Sequence, residues 1–120
     1  MDFDFTEEQK MFQQAVRDFC VKEIGPLVEE AEAHEKTPIQ LFPRMGSLGY
    51  LCARYPAKYG AAEMGKISEC ILLEEMARIS GGIAAAMMVH NGLGTSMIND
   101  HGSEELKQKY LVPAIKGQMI

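Results

Sequence analysis

Between Arg78 and Asp100 the chain carries no Asp, Glu, Lys or Arg. From Ile83 to about Asp100 the residues are apolar or small on every side, which predicts a helix surrounded by other helices and not one lying on a surface. The uncharged run from Ile79 to Asn99 is nominally long enough to cross a bilayer. Ser80, His90, Asn91, Thr95, Ser96 and Asn99 interrupt it, with four glycines, and polar groups at that density are expensive in lipid. The reading is therefore the central helix of a globular core, with no membrane span. A chain of 120 residues, 47% hydrophobic, is long enough for one domain with a genuine core and too short for two.

The helices around that centre announce themselves by their ends. Thr6 followed by Gln9 is a capping box, and Phe12, Val16, Phe19, Cys20 and Ile24 then recur as one apolar stripe. Gly25-Pro26 predicts a break there, with proline in the first turn of a second helix running to about Glu35. Thr37-Pro38-Ile39-Gln40 repeats the capping logic for a short helix that holds Leu41, Phe42 and Met45 and ends at Gly46. Leu48 to Lys58 reads as irregular. Lys66 to Ser80 restores the helical period through Ile67, Cys70, Ile71, Met76 and Ile79, with Glu69, Glu75 and Arg78 assigned to the outer face, and Gly81-Gly82 breaks it. Ser103 caps a last helix with Glu104 and Glu105 at its positive end, and Pro113 is read as its stop. With no repeat and no alternating strand pattern, the predicted class is all-α, an up-and-down bundle of about five to six helices. The apolar ending Gln118-Met119-Ile120 carries no stop signal, which predicts that more polypeptide follows.

Several chemistries find no support. Twelve basic against seventeen acidic residues give a net charge of -5, and no basic patch is visible to meet the phosphates of a nucleic acid. Cys20, Cys52 and Cys70 are odd in number and share no metal spacing, so a reducing, cytoplasmic setting is the expectation. The opening Met1 to Phe5 has neither the basic and apolar segments of a secretory signal nor the arginines of a transit peptide. A di-metal carboxylate site needs Glu-x-x-His, but Ala31, Met87 and Ile98 stand three before His34, His90 and His101, so no metal is assigned. Glu74, Glu75 and Arg78 read as an exposed ion-pair cluster worth a few tenths of a kcal/mol, without chemistry. The serines lack a nucleophile-elbow context.

The central helix holds the remaining candidates. Gly92-Leu93-Gly94 fails as a dinucleotide loop because Met97 occupies the third glycine position and no strand precedes it. Two glycines in a buried helix cost about 1 kcal/mol each relative to alanine, so something should approach closely, either a neighbouring helix or a ligand chain. His90 reads first as a hydrogen-bonded core histidine, and Met87, Met88 and Met97 first as core filling.

The order of these segments carries more than any one of them. Thr6-Glu7-Glu8-Gln9, Glu23-Ile24-Gly25-Pro26, Met45-Gly46-x-Leu48-Gly49, Pro56-x-x-Tyr59-Gly60, Glu74-Glu75-x-Ala77-Arg78, His90-x-x-Leu93 and Gly102-x-x-Glu105-x-Lys107-x-Lys109-Tyr110-Leu111-x-Pro113 follow at intervals that resemble the amino-terminal helical domain of the acyl-CoA dehydrogenases. Ala61-Ala62-Glu63 departs from the glycines that often follow Tyr-Gly in that family. The resemblance implies that residues 1–120 are that domain, with a middle β domain and a carboxy-terminal helical domain after residue 120. It implies a flavoenzyme that oxidises an acyl-CoA thioester between its α and β carbons, with FAD and the catalytic base supplied mainly by segments beyond residue 120. An electron-transferring flavoprotein would accept the electrons, and similar enzymes are commonly tetramers. On this resemblance Ala86, Val89, His90, Leu93 and Gly94 belong to the wall of the acyl cavity, while no catalytic or cofactor-binding residue lies in this segment. The alternatives are a free-standing helical interaction module and a relative that binds acyl-CoA without oxidising it.

Overall fold

At Thr6 the capping box forms as predicted: the Gln9 N–H donates to Thr6 Oγ1 (3.1 Å) and the Thr6 N–H to Gln9 Oε1 (3.0 Å). The structure, a computed structural model, describes all residues from Met1 to Ile120. It is all-α, with five helical rods and no strands. Helix α1 covers 7–34, α2 is Leu41–Ser47, α3 is Gly65–Ile79, α4 covers 81–101 and α5 covers 104–115, with a 3-10 turn at Ala57–Tyr59.

A new α-helical segment does begin at Gly25 with Pro26 in its first turn, as read, and ends at His34, but neither proline interrupts its rod. At Pro26, α1 passes through a π turn, Cys20–Ile24, into Gly25–His34, and at Pro113, α5 passes through Lys107–Leu111 into Val112–Ile115. In both places the residue just before proline donates five residues back, Gly25 to the Cys20 carbonyl and Val112 to the Lys107 carbonyl. The widened turn displaces the carbonyl that the pyrrolidine ring would strike, so the rod continues without the usual penalty. The capping box expected at Thr37–Gln40 is likewise absent. Those residues form a tight turn, in which the Leu41 N–H donates to the Pro38 carbonyl and the Phe42 N–H to the Ile39 carbonyl, and α2 starts without a side-chain cap.

The core fills the space between α1, α2, α3 and the first half of α4, with Val16, Ile24, Met45, Leu72, Met76 and Met87 all fully buried. Phe12 and Phe19 each meet Tyr50 edge to face, with centroids 5.7 and 5.4 Å apart. The buried stripe of α3 is Ser68, Ile71, Leu72, Glu75 and Met76. Ile67 and Cys70, read as part of that stripe, lie on the opposite side and are exposed. Glu75 moves the other way. Its carboxylate, read as a surface group, is buried and bridged by both ends of the Arg17 guanidinium, at 2.9 and 2.8 Å. The spacing 68, 71, 72, 75, 76 is the better helical ladder, and a cation from α1 makes a carboxylate tolerable within it.

The end of α3 falls where Gly81-Gly82 placed it. The Ser80 hydroxyl caps α4 by accepting from the Ile83 N–H. No helix of the structure is long and apolar enough to cross a membrane.

Candidate functional site

Only one side of α4 packs into the core. Ile83, Ala84, Met87, His90, Asn91 and Thr95 are buried, whereas Met88, Val89, Leu93 and Met97 are 47%, 47%, 73% and 66% exposed. The expectation of a rod enclosed on every side is therefore corrected: within these residues nothing covers the outer face. The glycines agree, since a Cβ at Gly92 would meet nothing within 4 Å and one at Gly94 would meet only the Val89 carbonyl oxygen, at 3.4 Å. The neighbouring helix that would account for them is not among these elements.

Where this bare face turns toward α2 and α5 it forms a groove of about 600 Å³. Ala85, Ala86, Val89, His90, Gly94, Thr95 and Ile98 contribute from α4, Thr37, Ile39 and Phe42 from the first half, and Tyr110 and Ala114 from α5, with Met119 and Ile120 completing the lining. The lining contains no Asp, Glu, Lys or Arg. That size and chemistry suit a flexible apolar ligand. Of the five residues named from the sequence, Ala86, Val89, His90 and Gly94 share this groove, and Leu93 lies outside it.

His90 is held as a core histidine would be. It is 7% exposed, its Nε2 lies 2.9 Å from the Ala114 carbonyl, and its ring stands edge to face with Phe42 at 5.2 Å. The Nε2–H, donating to a carbonyl that can only accept, thus ties α4 to α5. The sequence did not single out Ile98, Tyr110 or Ala114 as groove residues. The last two stand four apart on α5, a spacing that marks one helix face but not what that face meets.

Behind the groove wall lies a polar knot. Asn91 Oδ1 accepts from the Cys52 N–H at 2.9 Å, and the Tyr55 and Thr95 hydroxyls bond the carbonyls of α4. Burial pushes the Cys52 thiol up to about 11, so it is protonated and unreactive at neutral pH. No cluster of His, Cys, Asp or Glu is arranged to hold a metal.

FAD, expected from the resemblance, finds no seat in these side chains. The groove offers no cation to its pyrophosphate. The groove residues therefore do not make a flavin site.

The model of the acyl-CoA dehydrogenase N-terminal domain matches residues 6–118. A short-chain-specific acyl-CoA dehydrogenase of Clostridium acetobutylicum is 38% identical over 120 residues, 100% of this chain and 32% of that protein. Among solved structures, the acyl-CoA dehydrogenase of Bacillus anthracis complexed with FAD superposes with a TM-score of 0.86 at 34% identity, over 96% of this chain and 20% of that one. A chain in the structure reported for the electron transferring flavoprotein of Acidaminococcus fermentans superposes with a TM-score of 0.89 at 31% identity, over 98% of this chain and 31% of that one. The chain spans about a third of the length of the curated relatives it matches. With the family model running almost from end to end, over residues 6–118, the chain belongs to the acyl-CoA dehydrogenase family as its amino-terminal domain.

Proposed function

We propose that this domain walls the acyl-chain cavity of an FAD-dependent acyl-CoA dehydrogenase. The whole enzyme oxidises an acyl-CoA thioester to its α,β-unsaturated product and passes the electrons to an electron-transferring flavoprotein. In this reading a middle β domain and a carboxy-terminal helical domain follow residue 120 and supply the flavin site and the catalytic base. One observation carries the proposal: the charge-free groove of about 600 Å³ between α2, α4 and α5, with Ala86, Val89 and Gly94 on its wall. An acyl chain gains about 0.8 kcal/mol for each methylene it buries there, which requires small and apolar walls and no ions. The coenzyme A phosphates must be met elsewhere, since the groove holds no cation.

Two tests bear on this. The 120-residue chain mixed with FAD and butyryl-CoA is expected to retain no flavin on gel filtration and to show no turnover, and flavin retention with turnover overturns the division of labour. In the whole enzyme, Ala86→Phe fills groove space that about two methylenes would otherwise use, so kcat/KM for long acyl-CoA substrates should fall about tenfold relative to butyryl-CoA. An unchanged chain-length profile removes the groove from the acyl site.

A further inference from the structure

The stretch of α4 that meets the groove is not an ordinary helix. Val89–Gly94 is a π turn, and Val89, His90 and Gly94 within it line the groove. A widened turn takes carbonyls away from the donors that an α-helix would give them. Here two hydroxyls replace those donors. Tyr55 Oη donates to the Asn91 carbonyl at 2.8 Å, and Thr95 Oγ1 lies 2.9 Å from the His90 carbonyl and 3.2 Å from the Asn91 carbonyl, with the two hydroxyl oxygens 2.8 Å apart, so the pair shares its two protons over these contacts.

The segment that delivers Tyr55 is itself fastened to the same turn. The Cys52 N–H donates to Asn91 Oδ1 at 2.9 Å, from a backbone in the left-handed region with φ 51°. A non-glycine residue holds that conformation only where its surroundings impose it. Tyr55 is 1% exposed, so water cannot replace its hydroxyl, and burial holds the phenol above its ordinary pKa, where it remains a donor. Tyr55 does not itself line the groove.

We propose that Tyr55, acting with Thr95, is a positioning residue for acyl-chain selection: its hydroxyl keeps the Val89–Gly94 turn wide, and the wide turn sets where Val89, His90 and Gly94 stand in the groove wall. This rests on the acyl-groove reading given above. Without the Tyr55 hydroxyl, the single Thr95 proton must serve both the His90 carbonyl at 2.9 Å and the Asn91 carbonyl at 3.2 Å, so one buried carbonyl is left under-bonded and the turn recovers a bond by tightening toward α-helical spacing. Each residue step around a helix is about 100°, so even partial tightening re-aims the wall. The side chains lining the groove would be the same, but the shape offered to the ligand would differ.

The test uses the whole flavoenzyme with Tyr55→Phe, Thr95→Val, Thr95→Ser and Ala86→Phe, each assayed with butyryl-, octanoyl- and palmitoyl-CoA. Tyr55→Phe and Thr95→Val should change the ratio of kcat/KM between octanoyl- and butyryl-CoA by about fivefold, the equivalent of one net hydrogen bond. Thr95→Ser keeps the hydroxyl and should keep the ratio. A purely structural role predicts lower melting temperatures with the ratio held within about twofold, far less than one net hydrogen bond would produce. That result in Tyr55→Phe, beside a changed ratio in Ala86→Phe, overturns the positioning role and leaves the groove reading intact. An unchanged ratio in all the variants removes the groove reading and the inference together. Should Tyr55→Phe fail to fold, the contrast between Thr95→Val and Thr95→Ser decides alone: a shifted ratio in the valine variant only supports the role, and equal ratios overturn it.

Discussion

Replacing Gly46 with alanine should lower the melting temperature by on the order of 10 °C, a destabilisation of about 3 kcal/mol for a domain of this size. A Cβ at residue 46 would lie 2.3 Å from the carbonyl oxygen and 2.4 Å from the carbonyl carbon of Lys116. Both are backbone atoms and cannot swing aside as a side-chain end can. The partner glycine makes the same crossing from the other side: Gly117 has φ +71°, and its Cβ would lie 2.1 Å from the Phe42 carbonyl oxygen. Two glycines thus let α2 and the turn after α5 touch backbone to backbone, and Phe42 and Ala114, which flank that crossing in the chain, both line the groove. Separating the two segments should therefore loosen the groove as well as the fold. Gly92→Ala is the control. Its Cβ meets nothing within 4 Å, and alanine is favoured over glycine in a helix by up to about 1 kcal/mol, so that variant should melt at the wild-type temperature or above it. Thermal unfolding followed by circular dichroism checks both, and equal losses for the two variants would refute the crossing argument.

Which parts of this architecture the sequence discloses follows from how local each cause is. Thr6 and Ser103 act on donors within three residues, and each helix start they mark is present. The Gly81-Gly82 boundary is equally local. Pro26 and Pro113 misled because a proline in a straight α-helix does break it; a π turn one step upstream, which no residue type announces, removes the clash. Glu75 misled because its burial depends on Arg17, far away in sequence, and α3 offered two plausible faces. The site divides in the same way. Ala86, Val89, His90 and Gly94 follow from the family resemblance of one helix, whereas Phe42, Tyr110 and Ala114 reach the groove only through tertiary packing. The charge-free run was read as a helix enclosed on all sides, yet periodicity reports only that a face avoids water, not which polypeptide or ligand keeps water from it. The exposed Met88, Leu93 and Met97 mark that limit.

Arg17→Met should lower the melting temperature by several degrees at pH 7 and by progressively less as the pH falls toward 4. Glu75 is almost wholly out of water, with 1% of its side chain accessible against 40% for Arg17. In the folded protein its pKa lies below the ordinary carboxylate value of 4.5, first because Arg17 hydrogen-bonds the carboxylate and then through the attraction of the two charges, which together outweigh burial. A carboxyl whose pKa is lower folded than unfolded contributes stability at pH values above the unfolded value, and that contribution is lost as the pH drops through the folded one. Wild type should therefore weaken toward acid. With methionine at position 17, burial is opposed only by the weaker effects of Arg78, 4.0 Å away, and of a hydrogen bond from Gln13, so the folded pKa of Glu75 should rise above the unfolded value. The sign then reverses: the carboxyl opposes folding at neutral pH, and acid relieves it by protonation. The two melting curves should converge on acidification because one protein is losing a favourable term while the other is losing an unfavourable one. Arg44→Met provides the comparison, since Arg44 grips Glu23 with the same two-bond geometry at 2.9 and 2.8 Å but with side chains 50% and 36% accessible. Solvent screens that pair, and its loss should move the melting temperature by at most a degree or two at any pH. A gap between wild type and Arg17→Met that stays constant from pH 7 to 4, or one no larger than that of Arg44→Met, would show that burial of Glu75 does not control this part of the fold.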